Sequence, residues 1–297
     1  YAEFKTALKN AQDGDTITVT GVIEVPPSDD WGGLGIALTL RRGSPTACFV
    51  LSYTDENTPE TSFANFTFDG AGISASMPYV LISHNAMFTN VKFIRCRGVS
   101  SGGAVALNNG TTHFIGCTFD DNQAQEGAHL EMNMGGEAVI ENCTFTNGKA
   151  QYRGGAIRVC SSLNSCSISE SLITNNEAGL IGGGIISDGN TTIEESRIYG
   201  NTAAEYGADI AIGESAWVTL FDDLETLTSI FEADGLVPVG WTYDYPTAPI
   251  RVPGRVEPPQ YTPLKMTFEG KEEPPVTPDP TPTPDPTPDP TPEPEPT

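Results

Sequence analysis

Basic residues are scarce in this sequence. Its 297 residues include 15 Lys and Arg against 39 Asp and Glu, which gives a formal charge of −24. We therefore expect no nucleic-acid partner, because the chain offers too few cations to neutralise phosphates. The acidic balance suits calcium binding or a crowded extracellular surface, but such a balance usually means only solubility.

Long apolar runs are also missing. No stretch approaches the ~20 residues that a membrane-spanning helix needs, so we expect no membrane span. The sequence opens at Tyr1 without a methionine. This start fits removal of a secretion signal, and it fits trimming of a longer chain equally well.

None of the six cysteines forms a Cys-x-x-Cys pair, which argues against a structural zinc site. Cys117 and Cys143 occupy equivalent repeat positions, and we expect them to stack as reduced core residues. Cys160 and Cys166 flank five residues, and in an oxidising compartment they could close that loop as a disulfide. Two free thiols at these positions are the alternative.

Recognisable catalytic motifs are absent as well. The sequence contains no Gly-x-Ser-x-Gly nucleophile elbow and no phosphate-binding loop. The paired aspartates and Gly-His-Gly of polygalacturonases are missing too, and Asp188 in "SDGN" does not replace them. The sequence therefore leans away from an enzyme without excluding one.

A repeat of about 26 residues fills the middle of the chain. "CTFDDNQAQEGAHLEM" and "CTFTNGKAQYRGGAIRV" are two of its copies. One apolar column, with spacings of 25 to 28 residues, consists of Phe68, Phe93, Phe119, Phe145, Ile173 and Ile198. Three residues after this column stand Asn122, Asn176 and Asn201, whose side chains can bond their own turn or the next copy.

A glycine column marks a sharp corner in each repeat, and it consists of Gly102, Gly127, Gly154, Gly182 and Gly207. Apolar residues follow it three and five positions later, as inward positions of a strand do. A further strand is visible in "THFIGC" and "EAVIENC". Three short strands per repeat predict one turn of a parallel β-solenoid, in which each turn buries its apolar side chains by stacking on its neighbours.

Both ends of the repeat region have their own character. Residues 1–14 carry Phe4, Leu8 and Ala11 on one face, which predicts a short capping helix that stops at Gly14. Residues 216–272 lose the period but are rich in aromatics, which predicts a C-terminal cap. We therefore divide the chain into a solenoid with its helix over 1–215, a cap over 216–272 and a tail over 273–297.

The tail contains half of the chain's 24 prolines and cannot form a core. It predicts an extended linker of the polyproline type. Such linkers hold domains away from the wall of Gram-positive bacteria, so we expect an extracellular protein, secreted or attached to a bacterial surface.

The repeats resemble a known family. "FxxN" (Phe119 to Asn122) followed by "GGA[I/V]" (Gly102 to Val105, Gly154 to Ile157) is similar to the repeats of chlamydial polymorphic outer membrane proteins and of adhesin-like proteins of gut microbes. The opening "FKTALKNAQDGDTITV" resembles the start of right-handed β-helix proteins of the pectin-lyase-like superfamily. The resemblance implies an all-β, right-handed parallel β-helix. It carries little about function, because that superfamily includes lyases, hydrolases and adhesins.

The weak catalytic candidates follow from the outward positions that alternation assigns near the glycine column. The polar residues there are His129, Glu131, Arg158 and Asp209. Glu131 and Arg158 fall on adjacent turns, so we expect a surface ion pair, with a catalytic role as the alternative.

Metal binding has one weak candidate. Asp120, Asp121 and Glu126 gather in the predicted turn "FDDNQAQE" and could bind calcium, although a solvated acidic corner is the simpler interpretation. The three histidines, His84, His113 and His129, fall in different contexts. We expect them to be isolated surface or edge residues and not a metal site, and we expect no cofactor other than calcium.

Three functional hypotheses remain. The first is an adhesin-like binding protein that presents a flank of the solenoid to a glycan or to a host or neighbouring surface protein. The second is a polysaccharide lyase or glycoside hydrolase acting on acidic polysaccharide, which acids around one Arg on three neighbouring turns would support. The third is a structural surface protein that self-associates, which an uncapped end would support.

Overall fold

The computed structural model describes residues 1–27, 29–31, 34–52, 59–242, 250–254 and 261–269. In these residues the chain winds into a parallel β-solenoid of about 8 turns with about 26 residues per turn, as the repeat predicts. Successive turns pair in register and build four long sheets that run along the solenoid axis. We number these sheets 1 to 4.

Strands of the four sheets recur once per turn, with these bounds. Sheet 1 consists of Thr16–Val19, Leu38–Arg42, Phe66–Asp69, Lys92–Ile94, Thr118–Asp120, Thr144–Thr146, Leu172–Thr174 and Arg197–Tyr199. Sheet 2 consists of Val22–Val25, Cys48–Leu51, Val80–Ile82, Val105–Leu107, Leu130–Met132, Ile157–Val159, Ile185–Ser187, Ile210–Gly213 and Tyr261–Leu264. Sheet 3 consists of Asp30–Trp31, Thr61–Ala64, Ala86–Thr89, Thr111–Ile115, Glu137–Glu141, Ser165–Ser169, Asn190–Glu194, Trp217–Leu220 and Ile250–Pro253. Sheet 4 consists of Ser74–Ala75, Arg97–Gly98, Gln123–Glu126, Lys149–Arg153, Glu177–Ala178 and Thr202–Ala203.

The central turns have a fourth strand, which belongs to sheet 4, so the prediction of three strands per turn is wrong for them. Sheet 4 follows sheet 1 in each central turn, and in the sequence its strand Gln123–Glu126 reads as a turn. The reason is that its inward residues are alanines, such as Ala124, Ala150 and Ala178, which give no strong apolar signal.

The predicted apolar column is confirmed as the centre of the core. Phe68, Phe93, Phe119 and Phe145 are fully buried and pair in register along sheet 1. Their rings stack face to face, with centroid distances of 5.2, 4.7 and 4.4 Å along the column. The core is therefore a continuous stack that depends on contacts between neighbouring turns.

The N-terminal helix, Ala2–Asn10, covers the open end of the first turn. Phe4 packs on Trp31 and Phe49, with ring centroids 5.2 and 5.4 Å away. The cap is confirmed, but the helix ends before Gly14, because Ala11 already has an extended backbone.

The C-terminal end is closed by antiparallel strands. Trp217–Leu220 still pairs in parallel with the preceding turn, so the period continues slightly beyond the predicted boundary at residue 215. Ile250–Pro253 and Tyr261–Leu264 then add antiparallel strands to sheets 3 and 2. Two further strands, Pro238–Trp241 and Met266–Phe268, pair with each other.

A helix, Leu224–Phe231, and a 3-10 turn, Glu232–Asp234, complete the cap. Phe231 packs edge-on against Tyr199 of the last sheet 1 strand, with centroids 5.4 Å apart. This contact covers core that the last turn would otherwise expose. The predicted linker, 273–297, lies outside the described residues.

Candidate functional site

A shallow trough of about 610 Å³ runs along the outer surface of sheet 4, parallel to the solenoid axis. It crosses five adjacent strands, and we call it the sheet 4 trough. Its lining residues are Ser74, Arg97, Gly98, Val99, Gln123, Ala124, Gln125, Lys149, Ala150, Gln151, Glu177 and Gly179.

Strand alternation explains the shape of the sheet 4 trough. Arg97, Gln123, Lys149 and Glu177 pair in register and form one wall. Val99, Gln125 and Gln151, two positions later, point to the same side of the sheet and form the other wall, which ends at Gly179 without a side chain. The backbone between the walls is the floor, because its side chains, such as Ala150, turn inward. The result is one polar row that repeats once per turn and a second row that is polar only at Gln125 and Gln151.

Tight packing beneath the floor keeps this surface in place. A Cβ atom on Gly155 would lie 2.7 Å from the backbone nitrogen of Glu177. The glycine pair at the end of one sheet 4 strand therefore lets that segment lie close to the sheet 4 strand of the next turn. The sequence signal for the trough was the recurrence of "QAQ" and "KAQ", in which only the alternate polar residues face solvent.

Charged residues form a second candidate site, on the outer side of sheet 2. Glu131 and Arg158 pair in register on adjacent turns, with Oε1 and Nη1 3.3 Å apart. Arg158 also contacts the carboxylate of Glu126. The prediction of a pair on adjacent turns is confirmed, but its placement on the surface is wrong, since Glu131 is only 1% exposed.

The corner between sheets 4 and 2 explains this burial. After five of the six sheet 4 strands the chain reverses at a glycine with positive φ and lies over the outer face of sheet 2. A Cβ on Gly127 would lie 3.0 Å from the Cβ of Glu131, and one on Gly154 would lie 3.1 Å from that of Arg158. The outward side chains of sheet 2 in these turns, Glu131 among them, are therefore covered by their own corners.

Burial changes the acidity of this charged cluster. It raises the pKa of the Glu131 carboxyl, against the effect of hydrogen bonds from Ser101 and Cys160. It also raises the pKa of Asp188, which the charge of Arg158 partly opposes. Glu131, Arg158 and Asp188 stand on three successive turns, so acids do surround one Arg across three turns.

His129 and Asp209 are not outward residues, and both are buried, at 0% and 1% exposure. They lie before the sheet 2 strands, at a corner where strand alternation does not apply. There they join the predicted asparagines in a buried chain of hydrogen bonds that we call the polar ladder, and its members are Asn122, His129, Asn176, Asn201 and Asp209.

His129 fills a gap in the polar ladder. Asn122 Nδ2 donates to His129 Nδ1 at 2.9 Å, and His129 Nε2 donates to Asn176 Oδ1 at 3.1 Å. The turn between them has Gly148 at the asparagine position, and a Cβ there would lie 2.6 Å from His129 Nε2. The missing side chain of Gly148 therefore makes room for the imidazole.

Asp209 ends the polar ladder at the cap. Its Oδ1 accepts from both nitrogens of Asn201, at 3.2 and 3.0 Å, and its Oδ2 accepts from the backbone nitrogen of Met266 at 2.9 Å. Burial raises the pKa of Asp209 to about 6, although these donors oppose the shift. Burial lowers the pKa of His129 to about 4, so the imidazole is neutral near pH 7.

The other two histidines lie apart from this ladder. His84 is buried and contacts Thr61 Oγ1 at 2.8 Å, so it is not the surface residue we predicted. His113 is half-buried on sheet 3. Among the described residues, no group of three or more His, Cys, Asp or Glu side chains is placed to hold a metal ion.

The three calcium candidates have separate partners. Asp120 accepts hydrogen bonds from Thr146 and Asn147, and Asp121 pairs with Arg97 at 2.9 Å. Glu126, as described above, contacts Arg158. The structure does not bring the three carboxylates together.

The proposed disulfide is not present, because Cys160 and Cys166 are both free thiols. Cys166 points into the core from sheet 3, whereas the sulfur of Cys160 contacts Glu131 Oε1 at 3.5 Å. Burial raises the pKa of Cys160 to about 12, which makes it a poor nucleophile. Cys117 and Cys143 are buried, reduced and stacked, as predicted, with the Cys117 nitrogen 3.3 Å from the Cys143 sulfur.

Comparisons with known proteins support the fold. A family model described as a right handed beta helix region matches residues 42–203, more than half of the chain. No curated protein matches the chain, and no solved structure matches it. The finer resemblance to chlamydial and adhesin-like repeats stays a prediction.

Neither α-helix in the described part of the chain has the length and apolar character that crossing a bilayer requires.

Proposed function

The chain belongs to the right-handed β-helix family, and from that premise we propose that it is an adhesin-like binding protein whose sheet 4 trough holds an extended glycan chain. The proposal places the protein outside the cell, secreted or attached to a bacterial surface. Segment 273–297 would act as the stalk that holds the solenoid away from its anchor.

The observation that carries this proposal is the regular polar lining of the sheet 4 trough. Amide or charged side chains line the trough at four of its five strands, such as Gln123, Gln125, Lys149 and Gln151, and the fifth strand contributes the hydroxyl of Ser74. Strands in a sheet are spaced by about 4.8 Å, so the trough offers a fresh set of hydrogen-bonding groups at each step along its axis. A polymer of repeating hydroxylated units that lies along the axis can use such a surface over its whole length.

We expect a variant that removes the amides of one wall, the wall variant, to bind glycan more weakly. Gln125→Ala/Gln151→Ala takes two exposed amides from the trough without touching the core, and should weaken binding about ten-fold, or ~1.4 kcal/mol. Affinity electrophoresis in gels that contain plant and mucosal polysaccharides measures the retention. Ser167→Ala/Thr192→Ala on the outer face of sheet 3 is the matched control. Equal retention of both variants on every binding polysaccharide would remove the trough from the proposal.

The charged cluster on sheet 2 raises a second candidate function. Lyases need a base for the proton beside a uronate carboxylate, and hydrolases need paired carboxylates. Glu126 and Glu131 contact Arg158, and the charge of Arg158 also acts on Asp188 of the next turn, so acids lie near one Arg on three neighbouring turns. An internal ion-pair network is the competing explanation, because Arg158 is already engaged by two acids.

Release of reducing or unsaturated sugar ends distinguishes these explanations. We expect no release from acidic polysaccharides, with or without calcium, because the cluster is covered by its own corners. Release by the wild type that disappears in Arg158→Ala, with circular dichroism unchanged, would instead establish an enzyme. Arg158→Lys is the control that keeps the positive charge.

A further inference from the structure

The glutamine amides of the sheet 4 trough are free. The side chains of Gln123, Gln125 and Gln151 make no hydrogen bond to any described residue. Each amide can donate two hydrogen bonds and accept others. A sugar hydroxyl both donates and accepts, so these groups match hydroxyls without any change of protonation.

The cations of the trough are already occupied. Arg97 pairs with Asp121 through both carboxylate oxygens, each 2.9 Å from Nη2. Lys149 lies 3.6 Å from the carboxylate of Glu177, the next residue along the same wall. Each positive charge therefore has a carboxylate beside it, and the net charge of these four groups is zero.

The net charge of the whole chain also disfavours an anionic ligand. A formal charge of −24 repels an anionic polymer as it approaches. This repulsion reaches about 10 Å at 0.1 M salt, so it acts on a ligand that lies against the surface. An anionic ligand would need an unpaired cation to overcome it, and the two cations described above are both paired.

We therefore propose, on the basis of the glycan-binding function proposed above, that the trough takes neutral, hydroxyl-rich polysaccharide and discriminates against uronate polymers. None of the residues that line the trough is aromatic, so no ring is offered for a sugar to stack on and hydrogen bonds are the main contacts of each sugar. Affinity should then grow with chain length until the oligosaccharide spans the five strands.

Paired probes that differ in charge test this ligand class. Isothermal titration calorimetry with the wild-type protein would compare manno-oligosaccharides with oligomannuronate, and galacto-oligosaccharides with oligogalacturonate, at low and at physiological salt. We expect the neutral member of at least one pair to bind about ten-fold tighter at low salt, and the gap to narrow as salt screens the repulsion.

The outcomes separate the two proposals. Tighter binding of the uronate member would overturn the neutral class, and if Gln125→Ala/Gln151→Ala still weakened that binding, the trough would keep its glycan function. No binding of any member, of either charge, would overturn both proposals. Neutral binding that the wall variant weakens and the sheet 3 control does not would support both.

Discussion

Replacing Phe119 by alanine is expected to lower the free energy of unfolding by about 3–5 kcal/mol. Phe119 is fully buried at the middle of the stacked column, with Phe93 4.7 Å and Phe145 4.4 Å away. Its edge also meets Phe114 at 5.5 Å. Removing the ring leaves a cavity between two turns, and a solenoid is stabilised mainly by such contacts between turns.

Urea denaturation followed by circular dichroism measures this loss. Thr118→Ala, the half-exposed neighbour on the same strand, is the matched control and should change stability by less than about 0.5 kcal/mol. A loss below about 1.5 kcal/mol in Phe119→Ala would contradict a rigid stack, because it would mean that the neighbouring rings close the cavity at little cost.

The same column shows what the sequence could predict. A large apolar residue at a constant period has one consistent explanation, which is stacking on its equivalents in a parallel solenoid. The strand pairing, the stacked Cys117 and Cys143 and the glycine corners follow from this single premise. Each of these features depends on local residue type and spacing, which are both visible in the sequence.

The placement of the charged residues could not be predicted in the same way. Strand alternation assigns Glu131 an outward direction, which is correct, but it cannot show that the corner at Gly127 covers it. His129 was misplaced because it precedes the strand Leu130–Met132, where alternation does not apply. Burial at these positions depends on how the chain crosses after a positive φ, and this is a tertiary property.

The sheet 4 trough was missed for a related reason. A strand signal requires apolar residues on one side, and here that side consists of alanines facing a glycine-rich segment. Ala124 and Ala150 are buried, but their methyl groups give little apolar signal. The sequence therefore shows a polar stretch where the structure has a strand, and a binding surface on such a strand gives only the weak signal of recurring glutamines.

The polar ladder predicts opposite pH effects at its two titratable members. The pKa of His129 falls from the ordinary value of 6.5 to about 4 on folding, because burial disfavours its charged form. The unfolded chain therefore binds a proton first, and this group makes the fold less stable as the pH falls. The pKa of Asp209 rises from 3.8 to about 6, again because of burial. Here the folded chain binds the proton first, so this group makes the fold more stable as the pH falls.

Variants that cannot titrate should reveal these opposed contributions. From about pH 7 to about pH 4, His129→Gln should gain about 2–3 kcal/mol of unfolding free energy relative to wild type, and Asp209→Asn should lose about the same amount. In the wild type the two effects largely cancel. Asp209→Asn is also expected to be less stable at every pH, because an amide cannot accept from Asn201 and Met266 as a carboxylate does.

The measurement is urea denaturation of each variant at several pH values, with His113→Gln on the outer face of sheet 3 as the control for losing a half-buried histidine. The decisive quantity is the slope of the unfolding free energy against pH, since a packing defect lowers this free energy by the same amount at every pH. Curves for His129→Gln and Asp209→Asn that run parallel to the wild type would mean that neither group changes its proton affinity on folding. Opposite slopes would mean that the ladder holds a neutral imidazole and a proton-binding carboxyl in one buried column. Because their effects on stability cancel, the contact of Asp209 with Met266, which attaches the cap to the last turn, would then tolerate mild acid.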